Sequence, residues 1–479
     1  MTGSTTYGLA DPGSVNDMDV KVVMVEGNPL PTTTRTPTSC FSFIRHVSES
    51  NSTTATRRAE KARLLESSLR TLAAVTEIRF ITTDEVPEFR RSIAFGFGGD
   101  AVEEEGADER FLELFPLETI IGAFDHGRVV ATFGSFDVDV TVPGGSLPMA
   151  GTTIVTVQPT HRRRGILSEM MRMHLGQAIE RSQPIAGLWA SEALIYGRFG
   201  YGQACFGYDL TVPADRVALP PGPASMQVRT IGPEEAIEIL PSIYEWVRTL
   251  TPGFLSRSRA WWAHRKLRDS ERHRDGASSQ RIVVAHADGE ARGYVAYRQK
   301  EKWENELPRG TIEIVEVIAL DDDTRRTLWH FLTNIDLYPN VHWWNSPLDD
   351  PLHAEVDRTR DIHTRRRDTL WLRILDVPRA LEARTYEHDG RLTMKVTDNF
   401  MRAGGTFELQ VERGRAECQE STADVDVTLG INELSGLYLG GVSAIQRWRG
   451  RRIEGTEDAV LRLDTLFRTA RAPFCPEVF

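Results

Sequence analysis

The order of apolar and polar positions changes character several times along the 479 residues. From Glu77 onward, "EIRFITTDEVPEFRRSIAFGFGG" reads as a strand, a capped helix and a glycine-rich loop. The following "TIIGAFDHGRVVATFGSFDVDVTVPGGSLPMAGTTIVTV" predicts strands over 120–124, 129–140 and 149–157, separated by a His-Gly and a Pro-Gly-Gly turn. Leu167, Met171, Leu175 and Ile179 then recur every four residues, which predicts a helix over 166–181 with one apolar stripe. Pro184 ends it, and "IAGLWA" is a short buried strand. Antiparallel strands followed by strand, loop, helix and strand make an α/β unit with a mixed sheet.

The same order returns from about Gln227. "QVRTIGPEEAIEILPSIYEWV" repeats the strand and helix, "RIVVAHADGEARGYVAYRQ" repeats the hairpin with an Asp-Gly turn, and "GTIEIVEVIALDDDTRRTLWHFL" repeats strand, loop and helix. The likeness is one of pattern and predicts a duplicated domain. From about Leu375 the pattern changes to strands with helices at one end, an α+β unit that runs to "RAPFCPEVF". Residues 1–75 are rich in Ser, Thr and charge and poor in aromatics, a composition that predicts disorder, with a short helix over 59–72. The expected units are therefore 1–75, 76–226, 227–374 and 375–479.

Composition narrows the classes of function. Hydrophobic content of 40% and charged content of 26% fit a soluble globular chain. No apolar run reaches the length of a membrane span, and no basic segment followed by an apolar core suggests a secretory signal. Cys40, Cys205, Cys418 and Cys475 are far apart and form no metal-ligand pair, which fits a reducing cytoplasm and no metal site. A net charge of −11 without a basic tail argues against nucleic acid as a partner.

Against that acidic background, "VTVQPTHRRRGILSEM" places Arg162, Arg163 and Arg164 immediately before Gly165 and the predicted helix. The first N–H groups of a helix have no partner of their own, and with the helix dipole they make an anion site. Gly165 lets the backbone approach a bulky ligand. Several donors in a row suit a pyrophosphate. The absence of GxxxxGK[ST] and of GxGxxG favours a coenzyme-A-type carrier over a nucleotide. Taken alone the arginines read as a solvated helix start, and it is the strand, the glycine and the amphipathic helix around them that point to an anion site. At the matching place the second copy has "LDDDTRR", with acids and no glycine, and reads as structural.

"V-x-V-x-P-x-x-R-R-R-G-[IL]" between a strand and a helix resembles the acetyl-CoA loop of the Gcn5-related N-acetyltransferases (GNAT). The longer run "VTVQPTHRRRGILSEM … PIAGLWASEALIYGRFGYG" resembles the enhanced-intracellular-survival (Eis) family of actinobacterial acetyltransferases over about 77–479. The glycine or alanine that often ends the loop in the wider superfamily is here Leu167, a departure from that pattern. The resemblance implies tandem acetyltransferase domains with mixed sheets, the second degenerate, and a C-terminal sterol-carrier-protein-like α+β domain. It implies acetyl-CoA as co-substrate, a primary amine as acceptor (aminoglycoside-like or a lysine side chain), and a homohexamer. It also implies that Val155, Thr156 and Val157 offer backbone groups to the pantetheine arm and acetyl carbonyl. Arg163, Arg164, Gly165, Ile166, Leu167 and Ser168 would hold the pyrophosphate, with Arg162 at the loop entrance. Ser191 and Glu192 would line the far side of the channel.

Acetyl transfer to an amine needs a base for the amine and a donor for the leaving thiolate. On its own Tyr196 could be a packing residue, as Tyr201 is expected to be; by the resemblance it is the proton donor. His161 lies in the phosphate loop and His174 on or beside the apolar stripe, so neither stands out as a base. The resemblance implies instead the C-terminal α-carboxylate, here that of Phe479, although a chain end is ordinarily frayed. Phe95, Phe97, Phe111 and Phe115 are the candidate aromatic walls of the amine site. The alternative from another class is a non-catalytic acyl-CoA- or lipid-binding carrier, suggested by the degenerate copy and the third unit.

Overall fold

The chain is represented by a computed structural model, which describes residues 76–101, 104–271 and 274–479. The disorder and the short helix expected over 1–75 lie outside the described residues. Two seven-stranded sheets and one five-stranded sheet form the three units. The first sheet runs in the order Glu77–Phe80, Ile120–Asp125, Arg128–Val142, Gly145–Val157, Ile185–Trp189, Leu370–Ile374 and Gly202–Gln203. His126 and Gly127 both adopt left-handed backbone, φ 49° and 74°, which suits the twist of the tight hairpin they join. Helix Ile166–Glu180 packs on one face of this sheet, and Phe89, Phe111 and Phe115 fill the other.

The apolar face of that helix is rotated from the expected one. Ile166, Met170, Met171, His174, Leu175 and Ala178 are buried, whereas Ile179 is 48% exposed and Leu167 is only half-buried. A strict four-residue spacing drifts about 40° per step against a 3.6-residue turn. The stripe from Leu167 to Ile179 therefore winds off the core.

The second sheet runs in the order His363–Asp368, Phe206–Pro213, Asn340–Pro347, Thr311–Ala319, Glu290–Lys300, Arg281–Ala287 and Met226–Ile231. Asp288 and Gly289 form its left-handed turn, at φ 52° and 82°. The two sheets exchange strands across the duplication. Phe206–Pro213, which follows the first copy in sequence, pairs with Asn340–Pro347 in the second sheet. Leu370–Ile374, which follows the second copy, pairs with Ile185–Trp189 in the first. The two crossings touch, since Ala204 N–H donates to the Leu370 carbonyl at 3.0 Å and Thr369 N–H to that of Cys205 at 3.0 Å. Each copy thus completes the other's sheet, and neither is a closed unit within its own stretch of sequence.

The third unit has the strand order Arg415–Glu420, Gly405–Glu412, Gly390–Thr397, Val427–Gly430 and Ile453–Gly455. It is tied to the first sheet by Arg373 on the exchanged strand. The Arg373 guanidinium is fully buried, pairs with Asp398 at 2.8 Å and donates to the Phe199 carbonyl. Gly200 next to it has φ 87°, and a Cβ there would overlap the guanidinium at 1.6 Å. Asp398 also accepts N–H groups of Phe400 and Ala403, each at 3.0 Å. No helix among the described residues is long and apolar enough to cross a membrane.

Removing one partner of a buried ion pair strands the other charge, at a cost of about 3–5 kcal/mol. Asp398→Ala is therefore expected to lower the unfolding free energy, read from a denaturant titration, by an amount in that range. A loss under about 1 kcal/mol would show that Arg373 finds other partners.

Candidate active site

The first sheet opens along strand Gly145–Val157. That strand is paired in parallel with Ile185–Trp189 only through 149–152 opposite 185–188. Residues 153–157 keep partners on Arg128–Val142 alone, so one edge of the backbone is left as a template for an extended ligand. The strand bulges at the same point. Pairing passes from Thr132–Thr156 to Gly134–Thr153, which leaves Ile154 and Val155 both facing Phe133.

The bulge holds Ile154 at φ 47°, a costly conformation for a β-branched residue. The surroundings compensate. The Thr132 hydroxyl donates to the Ile154 carbonyl at 2.7 Å and is 2.7 Å from the Thr156 hydroxyl. A Cβ on Gly134 would lie 2.6 Å from Ile154 Cδ1, and one on Gly96 would lie 2.5 Å from Thr156 Cβ. Glycine at both positions lets the bulged strand and the end of helix Val86–Gly96 sit this close. Thr156 is buried, while Val155 and Val157 are half-buried beside the opening.

A single turn, Pro159–His161, leads into the arginine loop. His161 has both ring nitrogens engaged, Nε2 with Asp125 at 2.8 Å and Nδ1 with the Thr160 hydroxyl at 2.8 Å. It pins the loop to the neighbouring hairpin and holds the Asp125 carboxyl below its usual range. Arg162 Nε donates to the Val157 carbonyl at 3.1 Å, and Arg164 to that of Thr160 at 2.9 Å. Arg163 stands in left-handed backbone at φ 65°, and all three arginines are exposed. Gly165 is the N-cap at φ 84°, with no side-chain cap and nothing within 4 Å of where a Cβ would be. Ile166, Leu167 and Ser168 begin the helix, so its first N–H groups face an uncrowded, positively charged loop.

Across the opening, Glu192 accepts from Leu194 N–H at 3.3 Å and caps the short helix Ala193–Tyr196. Tyr196 is buried, and burial pushes its hydroxyl up to about 12, opposed in part by a hydrogen bond with Ser191. Its ring meets Tyr201 edge-on at 6.2 Å. Tyr201 is a packing residue behind the strand. Its hydroxyl is 2.9 Å from that of Thr152, which lies 2.8 Å from His174 Nε2. Burial pushes His174 down to about 3, so the imidazole is neutral inside the core and does not reach the opening as a base.

The chain end is not frayed. Phe479 is 6% exposed, its ring perpendicular to that of Phe136 at 6.3 Å and 3.4 Å from where a Cβ on Gly151 would sit. The Val478 carbonyl accepts from the Arg265 guanidinium at 2.7 Å. The expected aromatic walls are redistributed. Phe111 and Phe115 are core residues in a run of rings, Phe111–Phe115 at 4.8 Å and Phe115–Phe136 at 4.3 Å. Phe95 is 60% exposed and Phe97 half-buried. Among the rings that meet the tail are Phe136 and, at 4.7 Å from it, Trp261 of the second copy, whose Nε1 donates to Glu477. Neither carries a signal in the sequence, because their meeting depends on how the copies pack. Among the described residues no cluster of His, Cys, Asp or Glu could hold a metal ion.

The comparisons with known proteins agree with this architecture. Residues 77–204 and 253–374 each match a family model described as an acetyltransferase (GNAT) domain, and residues 377–476 match a sterol carrier protein domain. An uncharacterized N-acetyltransferase of Streptomyces avermitilis is 36% identical over 84% of this chain and 100% of its own length. N-acetyltransferase Eis of Mycobacterium tuberculosis is 34% identical over 72% of this chain and 85% of its own. The crystal structure of Eis1 from Mycobacterium abscessus superposes with a TM-score of 0.73 at 29% identity, covering 84% of this chain and 100% of that one. The fold and the opened strand pair define a GNAT-type N-acetyltransferase, with acetyl-CoA as co-substrate and a small-molecule or peptide amine as acceptor. The chain belongs to the Eis family of these enzymes. The reading as a non-catalytic carrier is set aside accordingly.

His174 links the core beneath this site to pH. Its imidazole titrates near 6.5 in the unfolded chain and near 3 in the folded one. Between those values the unfolded state binds the extra proton, so this contribution is present above pH 6.5 and is lost as pH falls. The slope is about 1.4 kcal/mol per pH unit. His174→Gln, which can keep a hydrogen bond to Thr152, is expected to flatten the fall in Tm between pH 7 and 5 by comparison with the parent. Parallel curves would rule the linkage out.

Proposed function

We propose that the acetyl-CoA pantetheine lies along the free edge of residues 153–157. Its pyrophosphate sits over Gly165 and the helix start, with Arg162, Arg163 and Arg164 supplying charge and Ser191 and Glu192 on the far wall. The Phe479 carboxylate is the base and Tyr196 the donor to sulfur. The acceptor is an aminoglycoside-like or lysine-type amine, and on the family resemblance the assembly is a cytoplasmic homohexamer. The observation that carries the reading is the burial of Phe479 against Gly151, on the strand that opens, and against Phe136, on the strand paired with it.

The chemistry follows from two ionisations. An α-carboxyl titrates near 3.5, so at neutral pH it is an anion that can hold an ammonium group and take its proton. Tyr196, pushed up to about 12, keeps its proton at any working pH. That value lies well above a thiol's ordinary 8.5 or so. Tyr196 therefore acts chiefly by hydrogen-bonding the negative charge that builds on sulfur, and full proton transfer to sulfur is uphill.

Tyr196→Phe is expected to lower kcat by about 10²–10⁴. It should do so across the whole pH profile, because no tyrosine ionisation falls within it; a profile that only shifts would refute the role. Extending the chain by one residue past Phe479 should reduce kcat comparably, and unchanged turnover would exclude the chain end as base. Gly165→Ala forces a side chain into left-handed backbone, a strain of about 1–2 kcal/mol. It is expected to raise KM for acetyl-CoA while kcat stays within about twofold.

A further inference from the structure

The second copy opens in the same way as the first. Thr311–Ala319 and Asn340–Pro347 pair in parallel only through 311–313 opposite 340–342 and then part. There the chain's own C-terminal tail lies in the gap. Val315, Glu316, Trp343 and Asn345 from the strands meet Phe474 and Glu477 from the tail, leaving a cavity of about 20 Å³, room for a single water.

The tail is held at successive points. Phe474 N–H donates to the Pro252 carbonyl at 2.9 Å, and Asn345 Nδ2 to that of Cys475 at 3.0 Å. The Glu477 carboxylate accepts from Trp261 Nε1 at 3.0 Å, lies 3.2 Å from Lys266 Nζ and pairs with Arg257. Arg257 and Lys266 are shared with Glu316, Lys266 at 3.2 Å. All four charged side chains are at least nine-tenths buried, at 1%, 9%, 6% and 2% exposure for Arg257, Lys266, Glu316 and Glu477. Two cations face two carboxylates, and one of the carboxylates arrives with the tail. Without Glu477 the second copy would bury an uncompensated positive charge, which is strongly unfavourable.

We infer that the opened strand pair of the second copy is a receptacle for the chain's own C-terminus, and that Glu477 is a positioning residue that sets, through Arg257 and Lys266, where the Phe479 carboxylate stands. Two residues span at most about 7 Å, so fixing Glu477 leaves Phe479 little freedom. The structural half of this inference stands on the contacts above, and its catalytic consequence rests on the proposed role of the Phe479 carboxylate.

The test uses the full chain with Glu477→Gln and Glu477→Asp, and reads carboxypeptidase release of Phe479 alongside kcat and KM. In Glu477→Gln, release is expected to be about 100-fold faster, with kcat down about tenfold or more and KM for acetyl-CoA within about twofold. Glu477→Asp should recover part of both. Release as slow as in the parent overturns the receptacle. Faster release with unchanged kcat keeps the receptacle and overturns the Phe479 base, so the two failures are distinguishable. If Glu477→Gln does not fold, Asn345→Ala, which frees the tail at the Cys475 carbonyl, decides the matter by the same release assay.

Discussion

The architecture depends on the parting of two parallel strands. Parallel neighbours normally stay paired along their shared length, and separating them exposes backbone groups that cost free energy unless something else satisfies them. In the first copy the separation begins after Thr152 and Leu188 and coincides with the bulge at Ile154. The bulge is possible only because Gly134 and Gly96 leave room for it and Thr132 takes up the turned carbonyl. The groove and the free strand edge lie where that local strain is held, and the arginine loop follows directly beyond them. Backbone strain held in place by its surroundings is characteristic of functional sites.

A second constraint is that neither copy is complete alone. The exchange of Phe206–Pro213 for Leu370–Ile374 gives each sheet a strand from beyond the other copy, and the crossings are sealed by reciprocal hydrogen bonds. Arg373 on the exchanged strand then anchors the turn after Tyr196 to Asp398 of the third unit. The third unit in turn ends in the tail that returns to the first two. The duplicate, although its loop has lost the residues that suit an anion, is thus retained as a scaffold for the proposed site.

Much of this was legible in the sequence, and the limits have physical causes. Hairpins turning at His126-Gly127 and Asp288-Gly289, the strand, arginine loop and helix of 145–180, and the three units are all set by local pattern, and the sequence shows them. The rotated face of helix Ile166–Glu180 was not, because Ile179 sits where a four-residue spacing has drifted off the core. The strand exchange was not, because strands bound for different sheets look alike in composition. Trp261, Phe136 and the Glu477 cluster were not, because each meets partners 120 or more residues away, such as Trp261 with Glu477 and Arg257 with Glu477. Phe111 and Phe115 suit a wall as well as a core by residue type, and their rings pack inward.

The two helix starts show how one fold came to do two jobs. In the first copy Gly165 caps helix Ile166–Glu180 with no side chain, so the first N–H groups remain available to an anion from outside. In the second, Asp321 caps Asp322–Thr333 itself. Its carboxylate accepts from Thr324 N–H at 2.8 Å and is neutralised by Arg292 at 2.7 Å. A carboxylate at a helix N-terminus satisfies the same orphan donors and the same dipole that a phosphate would. The duplicate has therefore answered with its own side chain the electrostatic demand that no side-chain cap answers at Gly165. The cleft beyond it follows the same logic. There, too, a group from the chain itself, the Glu477 carboxylate with its tail, occupies the space that the first copy keeps open.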